Sequence, residues 1–576
     1  LAGVSMMVAL DPFLSVKTRG STIFAVVFCL CMSLSSSNQL SHVSASQAET
    51  ISGRVTEPMM IDSGSIVGHF VGEQNDVQVF KGIPYAKPPV AALRWQPPQP
   101  PESWAGVREC VEFGPACPQK IEPMMNLVPQ MGLNASNSED CLYLNVWRPA
   151  NGDGGKYPVM VWIHGGGYTM GAASQPIYDG ESLARNGVVL VSINYRLGPF
   201  GFFAHPALSA ESPENVSGNY GILDQIEALR WVQRNISALG GDPDRVTIFG
   251  ESAGAGSVLC LMVAPQARGL FHAAVVQSAP DMQLATLRSP IGHRISAEQQ
   301  GVELIAQMGL DGHVGVDELR SLDANSLVET FPRLRVDRQF ELDVRSVPLA
   351  IAPIVDGFVI PDQPNELFAS GKTAKVPMIV GNTRDEMALF LTQTPMPKQV
   401  GEYQEVLTKN FGDFTTMMLE AYPASDTRSI RSSVMALMGD AVFGSQARHV
   451  ARLHVRNGNP TYRYVFSCGT NQFPLSMLGA HHACEIPFVF GRPVNPSASD
   501  KTVSEIVQGY WINFARTGDP NSDGLPIWPE TNSASDVLID IEKEVVIREM
   551  HRNQQLDTMD LWMGRTLAER ELSHPE

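Results

Sequence analysis

The sequence predicts an α/β fold with a mostly parallel, doubly wound central sheet and helical insertions. Three observations carry that expectation. Short apolar runs alternate with helix-period segments from about residue 50 onward. Several of those runs, Val159–Ile163, Val188–Ile193 and Val376–Val380 among them, lack the period-two alternation of a half-exposed strand, as strands covered on both faces do. Gly218–Ser237 places Ile222, Ile226, Leu229, Trp231 and Val232 on one helical face, the pattern of a crossover between parallel strands. In such a sheet the working residues collect beyond the carboxyl ends of the strands.

Taken in chain order, the first residues lie outside the fold. Lys17 and Arg19 precede the apolar run Thr22–Leu34, and a Ser-rich stretch leads to Val43-Ser44-Ala45 and Ser46-Gln47-Ala48. A basic start, a short apolar core and small residues before a cut describe a secretory signal over 1–45, removed near 45–48. That run is too short to cross a bilayer comfortably, and no later run is long and apolar enough, so no stable membrane span is expected after cleavage. The expected location is secreted or periplasmic. Residues 46–576 then form a single domain with a mainly helical insertion at about 281–375.

Four strand ends carry chemistry. After Val159–Ile163 comes His164-Gly165-Gly166-Gly167-Tyr168, where successive glycines let backbone N–H groups turn inward with no side chain in the way. After Val246–Phe249 comes Gly250-Glu251-Ser252-Ala253-Gly254, followed by a helix-forming run, Ala253–Val263, that stops before Pro265. A serine on a tight strand-to-helix turn is held exposed as a nucleophile, and the flanking glycines remove side chains that would collide across the turn. After Val376–Val380 comes Gly381-Asn382-Thr383-Arg384-Asp385-Glu386, a source for an orienting acid. After Tyr462–Phe466 comes a loop holding His481-His482, downstream of the serine and the acid as this chain order of triad members requires. An imidazole with pKa near 6.5 can take the hydroxyl proton at neutral pH and return it. Spacing alone does not choose between Asp385 and Glu386, or between His481 and His482.

Bulk properties narrow the class. The chain of 576 residues carries a net charge of −18, which argues against a nucleic-acid binder. No CxxC or HExxH spacing occurs, so no metal site is expected, and a serine nucleophile with an imidazole base needs no cofactor. Of eight cysteines, Cys29 and Cys31 lie in the signal; Cys260, in an apolar run, reads as a small buried hydrophobe.

These segments together resemble the type-B carboxylesterase family of α/β-hydrolases. The resemblance spans about residues 64 to 540. It rests on Phe80-Lys-Gly-Ile-Pro-Tyr-Ala-Lys-Pro-Pro89, Ser138-Glu-Asp-Cys-Leu-Tyr-Leu-Asn-Val-Trp147, His164-Gly-Gly-Gly167, Asn194-Tyr-Arg-Leu-Gly198, Gly218-Asn-Tyr-Gly-Ile-Leu-Asp-Gln225, Phe249-Gly-Glu-Ser-Ala-Gly254 and Glu485-Ile-Pro-Phe-Val-Phe-Gly491. It implies an α/β-hydrolase fold and a small-molecule ester as substrate, hydrolysed through an acyl-enzyme. The implied triad is Ser252, Glu386 and His482, with oxyanion donors at Gly166, Gly167 and Ala253 and supporting roles for Glu251 and Ser278. The spacing from His482 to Glu485 and the family's acidic turn select His482 and Glu386. The resemblance also implies a Cys117–Cys141 disulfide; a Cys468–Cys484 bridge stays open, as does the oligomeric state. The 117–141 loop has no aromatic residue, whereas cholinesterases stack a quaternary ammonium on a tryptophan there, so choline esters are not the expected substrates. Met387 and Ala483 stand where the family usually has glycine, replacements that are harmless only if the backbone there is not left-handed.

Overall fold

In the computed structural model the described residues are 54–564, apart from 121–131, 134–135, 151–155, 292–294, 331–351, 393 and 533–534. The secretory signal expected over 1–45 lies outside them.

The principal sheet has eleven strands. In chain order they are β1 (His69–Val71), β2 (Val77–Pro84), β3 (Tyr143–Pro149), β4 (Tyr157–Ile163), β5 (Val189–Ile193), β6 (Gly241–Glu251), β7 (Ala273–Gln277), β8 (Met378–Thr383), β9 (Thr461–Phe466), β10 (Leu538–Ile541) and β11 (Val545–Arg548). Their spatial order is β11-β10-β9-β8-β7-β6-β4-β5-β3-β2-β1. From β10 through β5 every pairing is parallel, while β11 at one edge and β3, β2 and β1 at the other are antiparallel. This is an α/β-hydrolase sheet.

Burial on both faces explains the missing alternation in the central runs. In β4, Val159, Val161 and Ile163 join one apolar core, and Met160 and Trp162 join another on the opposite face. The side chains still alternate, but both destinations are dry. On the first face lie α1 (Tyr220–Asn235) and α2 (Ala253–Val263). Two helices, α3 (Thr427–Gly439) and α4 (Ser445–Arg456), are joined by a π-helical turn at Asp440–Gly444. On the second face lies α5 (Ala498–Thr517), and α6 (Asn553–Trp562) follows the last strand. The described part of 281–375 holds the helices Ala297–Gln307, Val316–Arg320, Ala324–Thr330 and Pro364–Ala369, with a two-stranded sheet of Ala285–Thr286 and Ile354–Val355. Among the described residues, no helix is long and apolar enough to cross a membrane.

Candidate active site

The carboxyl ends of β4, β6, β7, β8 and β9 bring the expected residues together. Ser252 is the single residue between β6 and α2, and its backbone is left-handed, φ 57° and ψ −122°. For a residue with a Cβ this conformation is strained, and here it is held by Ser252 N–H donating to Gln277 O at 2.9 Å and by Gly256 N–H donating to Ser252 O at 3.0 Å. The flanking glycines are demanded by contact. A Cβ on Gly250 would lie 2.6 Å from the Gly254 carbonyl carbon, and one on Gly254 would lie 2.0 Å from Ile163 O. Ser252 itself is half-buried.

The glycine run after β4 passes alongside the serine, since a Cβ on Gly165 would meet Ser252 Cβ at 3.1 Å. Gly166 and Gly167 have φ of 106° and 61°, conformations that the missing Cβ permits. Among the described residues, their N–H groups donate to no backbone carbonyl. Ala253 N–H is the first of α2 and has no acceptor within the helix. These three donors are therefore uncommitted beside the serine. His164 is committed elsewhere: its Nδ1 lies 2.8 Å from Gly165 O, its ring stacks on Tyr195, and burial pushes its pKa down to about 4.

Glu386 opens a 3-10 turn just after β8, and its carboxylate is committed on both oxygens. Oε2 lies 2.5 Å from His482 Nδ1, while Oε1 accepts from Ser278 Oγ at 2.6 Å and from Thr383 N–H at 2.7 Å. The alternatives left open by spacing are elsewhere. Asp385 Oδ2 accepts from Arg384 and from Ala480 N–H, bracing the histidine loop. His481 Nδ1 lies 2.8 Å from His482 O, and burial lowers its pKa.

His482 Nε2 is 3.0 Å from Glu251 Oε1 without the alignment of a hydrogen bond, and neither atom has another partner. Ser252 Oγ makes no hydrogen bond to the ring in this structure. Burial alone would lower the His482 pKa, but the charges of Glu251 and Glu386, and the Glu386 hydrogen bond, outweigh it and raise the pKa. Glu251 is raised by its own burial, which the His482 charge only partly offsets, and then by Glu485 and Glu386. The imidazole is thus a base strengthened by surrounding carboxylates.

Four neighbours carry no site role in the sequence reading. Gln277, at the end of β7, accepts Ser252 N–H through its carbonyl, donates Nε2 to Glu485 Oε1 at 3.2 Å and accepts from Trp511 Nε1 at 3.2 Å. A polar residue closing the apolar run Ala273–Gln277 on the active edge of the sheet was the available signal. Glu485 is buried, and that burial, with Glu386, raises its pKa to about 7. Phe390 and Phe443 contact the His482 ring; nothing in their spacing marks them.

The structure bears on the glycine replacements and on the cysteines. Ala483 has φ 67°, so at this position the replacement of glycine is not harmless: a Cβ sits in a left-handed backbone directly after the histidine. Met387 lies in the 3-10 turn with no positive φ, and its side chain joins a helical core. Cys117 and Cys141 are both free thiols here rather than a bridge. They are in hydrogen-bond contact with each other, which with burial pushes the Cys141 thiol well up, and Cys117 Sγ also accepts from Leu197 N–H at 3.2 Å. Cys468 and Cys484 are also free, their sulfurs directed to Asp500 Oδ1 at 3.8 Å and to the Cys468 carbonyl at 3.7 Å. Among the described residues no cluster of metal-ligating side chains occurs.

Comparison with known proteins follows the same outline. The carboxylesterase family profile matches residues 56–562. A fumonisin B1 esterase of Sphingopyxis macrogoltabida is 38% identical over 488 residues, covering 82% of this chain and 84% of that protein. A para-nitrobenzyl esterase of Bacillus subtilis is 34% identical, covering 84% and 95% of the two chains. A solved PNB esterase structure superposes with a TM-score of 0.75 at 32% identity, over 87% of this chain and 99% of that one. With the family profile spanning nearly all of the described chain, the protein belongs to the carboxylesterase family and is a carboxylic ester hydrolase.

Proposed function

We propose that the protein hydrolyses small-molecule carboxylic esters through a covalent acyl-enzyme on Ser252. The observation that carries this reading is the chain of contacts from Ser278 and Thr383 to Glu386 and on to His482, whose Nε2 faces Glu251, the residue directly before the left-handed serine. His482 takes the Ser252 proton as Oγ attacks the ester carbonyl, and Glu386 fixes the ring with Nδ1 protonated and stabilises the imidazolium. The oxyanion is received by the N–H groups of Gly166, Gly167 and Ala253, where losing one donor typically costs roughly 10²- to 10³-fold in rate. The proton passes from His482 to the leaving alcohol; water then repeats the attack and releases the acid. Glu251, facing Nε2, orients the attacking water and holds the imidazolium during deacylation.

The basic and apolar segment before residue 46 supports export to the periplasm or the medium. In that oxidising setting the adjacent Cys117 and Cys141 thiols are suited to close into a bridge. N-terminal sequencing of the exported protein, and alkylation of the two cysteines with and without reductant, test these points.

The mechanism is tested by a burst assay with uncharged p-nitrophenyl esters beside Ser252→Ala. A burst stoichiometric with enzyme that vanishes in the variant is the expected result. Correctly folded protein that turns over equally well without Ser252 would sink the reading.

A further inference from the structure

We propose that Phe443 is a positioning residue for His482, held against the imidazole by the π-helical turn Asp440–Gly444, which Arg552 at the start of α6 fixes in place. The inference rests on His482 being the base.

Two phenyl rings meet at the histidine. The centroid of Phe443 lies 4.7 Å from that of His482, with planes at 37°. Phe390 lies 5.1 Å from His482, at 52°, and 6.4 Å from Phe443. Phe443 is buried, whereas Phe390 is 41% exposed and stands on the segment that also carries Glu386. An aromatic face within about 6 Å of a cation stabilises it, so these rings favour the imidazolium that forms during acyl transfer. They also limit rotation of a ring that is otherwise tied down only through Nδ1.

The presentation of Phe443 depends on an unusual backbone. α3 and α4 would run on as one helix but for the wider turn between them. A π turn accommodates one extra residue, and removing it would rotate the following side chains by about 100°. The first residue of the turn, Asp440, is buried and accepts from Tyr422 Oη at 2.8 Å and from Arg552 Nη2. Gly444 leaves room for that carboxylate, since a Cβ there would lie 3.0 Å from Asp440 Oδ1. A segment far along the chain thus fixes the pitch of the turn that presents Phe443.

The charged and titratable groups facing His482 are Glu251, directly before Ser252, Glu386 from the turn after β8, Glu485 three residues along its own loop, and its neighbour His481. None of them is altered by replacing the rings. The experiment is the pH dependence of kcat/KM on a p-nitrophenyl ester for Phe443→Leu, Phe443→Tyr, Phe390→Leu and Arg552→Gln, with Tm measured alongside. Leucine keeps the site apolar but removes the aromatic face. The acid limb should therefore move down by about half a pH unit in Phe443→Leu, with a several-fold loss of kcat and little change in KM. Tyrosine should restore the limb, and Arg552→Gln should move it in the same direction as Phe443→Leu. An unmoved limb in both Phe443→Leu and the half-exposed Phe390→Leu overturns the role of the rings; an unmoved limb in folded Arg552→Gln alone overturns the anchoring by α6. His482→Ala is run in parallel, because activity surviving there would refute the base assignment rather than the clamp.

Discussion

Ser278 Oγ donates to Glu386 Oε1 at 2.6 Å, on the carboxylate oxygen opposite the one that faces His482. Ser278 is itself left-handed, φ 54°, and its N–H donates to Gly381 O at 2.8 Å, so strand ends β7 and β8 jointly aim the carboxylate. Hydrogen bonds to a charged group contribute about 1.5–3 kcal/mol. Ser278→Ala should accordingly lower kcat roughly 10- to 100-fold while leaving KM near its starting value, read from steady-state kinetics.

The adjacent pairs give opposite outcomes. His482→Ala should remove at least about three orders of magnitude in kcat, and Glu386→Gln should cause a substantial but smaller loss. His481→Ala and Asp385→Asn should act on stability instead, because these side chains brace the loop through His482 O and Ala480 N. Near-full activity in His482→Ala, with loss in His481→Ala, would reverse the assignment.

A pH profile tests the carboxylates around the base. Because the folded-state pKa of His482 is raised, the neutral base appears only above imidazole's ordinary 6.5, and kcat/KM should rise with pH through that region. Glu251→Gln removes the nearest charge from Nε2, so the acid limb should move to lower pH by about one unit. A limb that stays in place or moves upward would contradict the electrostatic role of Glu251.

Ala483→Gly should stabilise the protein by up to about 1 kcal/mol, since glycine adopts the left-handed backbone without the Cβ clash but gains freedom in the unfolded chain. Urea or thermal unfolding of the two proteins measures it, and a lowered midpoint would show that the Cβ packs favourably enough to offset the strain.

Much of this site is legible in the sequence because strand ends in a doubly wound sheet are marked by glycine and polar residues after apolar runs. The helix Ala253–Val263 begins and ends where Ser252 and Pro265 predict. The strand read at Val376–Val380 instead runs from Met378 to Thr383, because pairing with β9 continues through Asn382↔Val465 and Thr383↔Phe466 and overrides the poor strand propensity of Gly381 and Asn382. The run at Val246–Phe249 likewise extends to Gly241–Glu251, where Gly241 pairs with Tyr157. What sequence does not display is backbone sign and helix pitch. The left-handed Ala483 and the π turn beneath Phe443 follow from tertiary contacts, and neither leaves a periodic trace.

The buried carboxylates of Glu251, Glu386 and Glu485 also bear on how the reaction ends. A neutral ester enters, but its cleaved acid part becomes an anion near these buried carboxyl groups, of which burial raises the pKa of Glu251 and Glu485. Repulsion of like charges then favours departure, so the acid should inhibit less at higher pH, as Glu251 and Glu485 ionise. The same carboxyl groups that raise the basicity of the histidine would then help to clear the site for the next turnover.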